Sequence, residues 1–292
     1  MTWRASLHGG HSGAFCDHAE GTLAEVVEEA ARQGFVVYGL SEHAPRVEER
    51  WLYPRERELG WGTDRLSQNF AAYAEESRRL QSAWAGRLTI LRGFESEMLP
   101  GDRWAEQMIG LRRLYGFEYM VGSVHSVGDH YLDMSREVFL EAVEAAGGCE
   151  PLVVRYYEAV ATLVTRLRPE VVGHLDLVRR FGESVGLPDT PQTRAAEDHA
   201  LDAIEAEGSI LDLNTASIRK GLSSPYPAPD LLLRAHRRGI GCCMGDDSHG
   251  PALVGSGLAE GRAYLLGLGI RTQTVLVPAG GGAVERRLVP LD

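Results

Sequence analysis

The chain has 292 residues, 44% of them hydrophobic, and a formal net charge of −11. That acidity argues against a nucleic-acid backbone as the main partner, and no apolar run approaches the roughly 20 residues that span a bilayer. Its four cysteines show no C-x-x-C spacing and make no disulfide framework. Met1 to Leu7 carries no apolar signal region, so one cytoplasmic domain over 1–292 is expected.

In chain order, short apolar runs alternate with longer amphipathic ones. Residues 22–34 predict a helix, because Thr22 with Glu25 forms a capping-box pattern and Gly34 suits its stop. Residues 35–40 predict a buried strand followed by His43. A helix over 66–84 places Leu66, Phe70, Tyr73, Leu80 and Trp84 near one face. A strand over 88–91 then leads to Glu95. A helix over 104–114 precedes a strand at 119–121, which leads to His125. A helix over 152–167 precedes Val171-Val172 and His174. A helix over 193–207 precedes a strand at 210–213 that ends at Asn214. A helix over 231–238 precedes a strand at 240–244 that ends at Asp246 and Asp247. A last helix near 259–266 precedes an apolar run at 274–277.

Repeated strand-helix units predict parallel strands covered by helices. Seven or eight such units closing on themselves make a barrel, with chemistry at the carboxyl ends of the strands. An open doubly wound sheet is the alternative, but it would place its site at one switch point. Here candidate ligands follow strand after strand, which favours the barrel.

Taken singly, these residues are weak signals. His8 and His11 flank two glycines after a first strand, where the backbone can bend around a cation. His18 alone reads as a helix-start residue, and His43, beside Pro45, as a loop histidine. Glu95 is placed to bridge two cations, with Glu97 as its competitor. His125 and His174 end apolar runs, and a buried imidazole needs a hydrogen bond or a metal. Asp247 and His249 close the series, with Asp246 as an alternative ligand or as a partner that orients an imidazole. His130, His199 and His236 fall in a turn and in helices, away from this pattern.

In order, Phe15-Cys16-Asp17-His18-Ala19, Ser41-Glu42-His43-Ala44-Pro45-Arg46, Gly93-Phe94-Glu95, Gly122-Ser123-Val124-His125, Gly173-His174-Leu175-Asp176 and Asp247-Ser248-His249 follow the His8/His11 pair. This ordered set resembles the polymerase and histidinol phosphatase superfamily, and the Cys-x-His-Ala and His-Ala-Pro-Arg elements resemble its histidinol-phosphatase branch. The resemblance implies a distorted seven-stranded, TIM-like α/β barrel with a trinuclear centre of zinc, iron or manganese. It implies His8, His11, Glu95 and Asp247 at a first ion, Glu95 with His125 and His174 at a second, and His18, His43 and His249 at a third. Glu95, Asp247 and His249 are the expected catalytic residues. The family pattern is His-x-His where this chain has His8-Gly9-Gly10-His11.

The activity implied is hydrolysis of L-histidinol phosphate, by attack of a metal-bound hydroxide on phosphorus, in histidine biosynthesis. Mixed nitrogen and oxygen ligation suits zinc, iron or manganese. Arg46 and Arg219 are the preferred phosphate clamps, ahead of Arg179, Arg180 and Lys220. The partner expected is a small phosphorylated molecule, with neither nucleic acid nor membrane. The alternatives are a phosphoesterase of another small phosphate or nucleotide and a non-catalytic metal-binding module.

Overall fold

The computed structural model describes residues 3–99, 101 and 103–292. Its eleven described strands are β1 (Ala5–Ser6), β2 (Val37–Leu40), β3 (Thr89–Glu97), β4 (Tyr119–Ser123), β5 (Ser126–Val127), β6 (His130–Tyr131), β7 (Val171–Val172), β8 (Ile210–Asn214), β9 (Cys242–Gly245), β10 (Thr272–Gly280) and β11 (Ala283–Pro290). Seven of them form one sheet in the order β1-β2-β3-β4-β7-β8-β9, and every pairing within it is parallel. The two edges meet through single backbone bonds, from Leu7 N–H to the Met244 carbonyl (3.0 Å) and from Asp247 N–H to the His8 carbonyl (2.9 Å). The sheet therefore closes into a distorted (β/α)7 barrel.

Helices cover the outside for the reasons visible in their sequences. The helix Leu23–Arg32 starts at the Thr22/Glu25 capping box and buries Leu23, Val26, Val27 and Ala30. Helix Cys149–Leu167 buries Tyr156, Val160, Leu163 and Leu167 along one stripe. No helix among the described residues is long and apolar enough to cross a membrane.

Three elements depart from the sequence expectations. β3 runs through Glu97, so Glu95 lies inside a strand rather than after one. The first half of β3 pairs with β2 and the second half with β4, which is why it is long. Gly93 marks the crossing, since a Cβ there would collide with the ring of Tyr119. The apolar run at 274–277 is not a barrel stave. It belongs to β10, which pairs antiparallel with β11 as a separate ribbon. Val275, Leu276, Val277 and Val289 of that ribbon join Leu7, Val37, Leu91, Tyr119, Val121, Val171 and Ile210 in the barrel interior. The third is a hairpin, β5–β6, that leaves the rim directly after His125.

Candidate metal centre and its cavity

At the carboxyl ends of the strands a cavity of about 540 Å³ is lined by His18, His43, Glu95, His125, His174, Arg219, Asp247 and His249, among others. His8 and His11 lie beneath it, fully buried. All nine expected ligands therefore gather at one rim, drawn from β1, β2, β3, β4, β7 and β9 or the loops that follow them.

Glu95 is at the centre. One of its oxygens, Oε1, lies 3.2 Å from His8 Nε2, 3.4 Å from His125 Nε2 and 3.2 Å from His174 Nε2. The other, Oε2, lies 2.9 Å from His43 Nδ1. The donors fall into overlapping groups: His8, His11 and Glu95; Glu95, His125 and His174; His11, Asp247 and His249; and Cys16, His18, His43 and His249. Asp247 Oδ1 lies 4.0 Å from His8 Nε2 and 3.8 Å from His11 Nε2. His11 thus belongs to the buried floor of the centre. Its ring stacks against those of His43 and His249, each with centroids 4.2 Å away.

The Gly9-Gly10 pair, one residue longer than a His-x-His spacing, bends the backbone between the two histidines. Gly9 and Gly10 have φ of 147° and 80°, and a Cβ on Gly9 would strike the Asp246 carboxylate. His174 and Asp247 also take positive φ, 22° and 47°, which for side-chain-bearing residues stores strain at a functional position.

Carboxylates and a carbonyl fix the far side of the rings. Nδ1 lies 2.6 Å from Asp212 in His8, 3.0 Å from Glu42 in His11 and 2.8 Å from Asp17 in His18. His125 Nδ1 lies 2.8 Å from Glu97, and His249 Nδ1 lies 3.0 Å from the Asp247 carbonyl. A proton held on Nδ1 leaves Nε2 as a lone pair facing the centre, the arrangement by which outer carboxylates orient ligating histidines. His8 Nε2, His11 Nε2, His43 Nδ1, His125 Nδ1 and His174 Nδ1 are buried and form no properly aligned hydrogen bond. At the first three, lone pairs that converge in distance yet miss each other in angle suit a shared cation. Nitrogen and oxygen donors of this kind fit zinc, iron or manganese.

The charges divide within the cluster: neighbouring carboxylates outweigh burial and raise His8, His11 and His125 above the usual imidazole range, while His43 and His249 are lowered. Burial disfavours ionised Glu95, but His8, His125 and His43 outweigh it and hold the carboxyl well below its usual range. Burial and the neighbouring His11 push His43 down to about 4, against the pull of Glu95. Burial and His11 also lower His249 well below the usual imidazole range. His43 and His249 are therefore neutral rings with lone pairs to give.

The two arginines separate. Arg219 lines the cavity and is held at the rim by bonds to the carbonyls of Asp246 (2.8 Å) and Asp247 (2.9 Å). Arg46 does not fit its expected role as a phosphate clamp. It is 4% exposed, paired with Glu56, and set over the ring of Tyr53 at 4.1 Å. Its charge is spent on a buried carboxylate. Lys220 and Arg55 also face the cavity. Arg179 is engaged by Asp176 and Glu183, and Arg180 donates to the Lys220 carbonyl. Asp246 is a scaffold residue, accepting from Gly255 N–H (2.7 Å) and Tyr38 Oη (3.2 Å).

The orienting residue Asp212 escaped the sequence reading. Its signal was present, as a lone carboxylate inside the apolar run Ile210-Leu211-Asp212-Leu213. Glu42 and Asp17 were equally visible, each directly preceding a candidate ligand histidine.

The PHP domain description matches residues 8–216. Over 284 residues the chain is 33% identical to the "Probable histidinol-phosphatase" of Schizosaccharomyces pombe, covering 95% of this chain and 92% of that protein. It is 25% identical to the histidinol-phosphatase of Saccharomyces cerevisiae, covering 89% and 87%. In fold it is similar to the Lactococcus lactis histidinol phosphate phosphatase solved with zinc, L-histidinol and phosphate. The TM-score is 0.68 at 20% identity, covering 97% of this chain and 98% of that one.

Proposed function

This chain belongs to the PHP domain family, and on that premise we propose that it is a metal-dependent phosphomonoesterase hydrolysing L-histidinol phosphate to L-histidinol and phosphate. The relatives that match over most of its length carry that activity in their names. We read residues 1–292 as one such domain acting in histidine biosynthesis. A cytoplasmic setting suits its four free cysteines.

The carrying observation is the set of donor groups that share Glu95 at one rim. His8, His11, Glu95 and Asp247 would hold one divalent ion, Glu95, His125 and His174 a second, and His18, His43 and His249 a third. Ions bound there supply Lewis acidity, screening of the phosphoryl charge and a lowered pKa for water. The protein's own part is positional. Asp212, Glu42 and Asp17 hold protons on the Nδ1 atoms of His8, His11 and His18 and keep those imidazoles aimed inward. Arg219 is fixed through two carbonyls, so its remaining donors and the ammonium of Lys220 bring positive charge to the phosphate oxygens. Glu95 is closed off from water by the rings around it, which strengthens every charge interaction it makes.

Steady-state phosphate release from L-histidinol phosphate by the metal-loaded protein tests the reading. Turnover of this substrate in preference to other small phosphates and nucleotides is expected. No turnover beside rapid cleavage of another ester would refute the substrate and point to a phosphoesterase of different specificity.

A further inference from the structure

L-Histidinol phosphate carries an ammonium and an imidazole besides its phosphate. The metal-binding groups and the rim cations answer only the phosphate, so a cavity selecting this molecule needs an anion for the ammonium. Four carboxylates line the cavity: Asp17, Glu95, Asp133 and Asp247. Asp17 is taken by His18 at 2.8 Å. Glu95 is surrounded by imidazoles, and Asp247 faces His8, His11 and His249. Asp133 alone has no ion pair or side-chain hydrogen bond among the described residues, and it is half-buried rather than free in solvent.

Its placement is built. The chain leaves His125, turns through β5 and β6, and returns, with Leu132 N–H bonded to the His125 carbonyl at 2.8 Å. Asp133 is the next residue, so the hairpin sets it beside a ligand histidine. Tyr131 anchors the hairpin by donating to the Trp51 carbonyl at 2.9 Å. The ring of Tyr53 meets that of Tyr131 edge-on, with centroids 5.1 Å apart. Tyr53 and Met134 also line the cavity. They belong to a small apolar cluster with Trp51, Leu99 and Tyr131. An unpaired anion thus sits next to an aromatic and thioether wall, within the same cavity as the metal-binding groups.

We propose that Asp133 determines specificity by receiving the ammonium group of the substrate, with Tyr53 and Met134 forming the wall on which its imidazole rests. The inference rests on the histidinol-phosphate reading. An ammonium and a carboxylate in a half-enclosed site form a charge-assisted contact, and an amide in its place keeps the shape while removing the charge.

The test compares the metal-loaded wild type, Asp133→Asn and Asp133→Glu on two substrates, L-histidinol phosphate and the deaminated 3-(imidazol-4-yl)propyl phosphate. Asp133→Asn is expected to raise KM for the natural compound about 10- to 100-fold, with kcat within about threefold. Its KM for the deaminated compound should match that of the wild type. Asp133→Glu should recover most of the loss. Equal losses on both substrates, or no loss on either, would overturn the assignment, with metal content and melting temperature checking that each variant is folded. If the wild type leaves L-histidinol phosphate intact while cleaving the deaminated ester, the functional reading fails and the ammonium site falls with it. If the wild type cleaves both and Asp133→Asn matches it throughout, only the ammonium site fails.

Discussion

At the amino-terminal end of the barrel, β10 and β11 insert Val275, Leu276, Val277 and Val289 against the interior side chains, where they join a cluster dominated by aliphatic residues. At the carboxyl rim, equally buried positions hold His8, His11, Glu95, Glu97, His125 and His174. Both ends bury these side chains, but with opposite chemistry. Apolar burial needs only shape and area, and stabilises the fold by about 25 cal/mol per Å² removed from water. The rim buries ionisable groups at a cost, leaves ring nitrogens without aligned partners, and holds His174 and Asp247 at positive φ. The contrast teaches where this chain keeps stability and where it gives stability up for chemistry.

That division predicts which variants lose activity and which lose the fold. The largest effect is expected at Glu95. Glu95→Ala should lower kcat about a thousandfold or more, because it empties the position shared by two donor groups, while its melting temperature in metal-free buffer changes little. Unchanged turnover would remove the carboxylate from the centre. Leu276→Ala at the other end should do the reverse, costing about 2–5 kcal/mol in urea unfolding through transfer and cavity terms. Its kcat per folded molecule should stay near wild type.

The arginines sharpen the comparison. Arg46→Ala leaves the buried Glu56 carboxylate unpaired and should cost about 3–5 kcal/mol of stability, read by the same unfolding titration. Asp212→Asn should lower metal affinity or activity about 10- to 100-fold, since it loosens the ring of His8. Metal titration would separate that loss from an effect on chemistry. Arg219→Ala should be the mildest, lowering kcat/KM about tenfold with little change in unfolding midpoint. An Arg46→Ala protein as stable as wild type but unable to bind phosphate would reverse the roles given to the two arginines.

Much of this was legible in the chain. Periodicity placed the long helices at 149–167 and 191–207 to within a few residues, because each carries a full apolar stripe. The candidate ligand histidines were visible as an ordered set, since most of them end apolar runs, although each alone is a weak signal. What was hidden depended on pairing at a distance. The run at 274–277 looks the same whether it lies parallel in a barrel or antiparallel against β11. Arg46 beside His43 reads as a cavity cation until Glu56, on a later helix, claims it. β1 spans only two residues, too short for any alternation to register. Asp212 looked like an interruption in a strand, and only the fold brings it to His8 across 204 positions of sequence.

The most direct test is anomalous diffraction from crystals of active protein, collected at the zinc, iron and manganese edges. Three peaks are expected at the rim: one between His8, His11, Glu95 and Asp247, one between Glu95, His125 and His174, and one between His18, His43 and His249. A fully active crystal with no peak at these positions, or with the ions held elsewhere, would contradict the account.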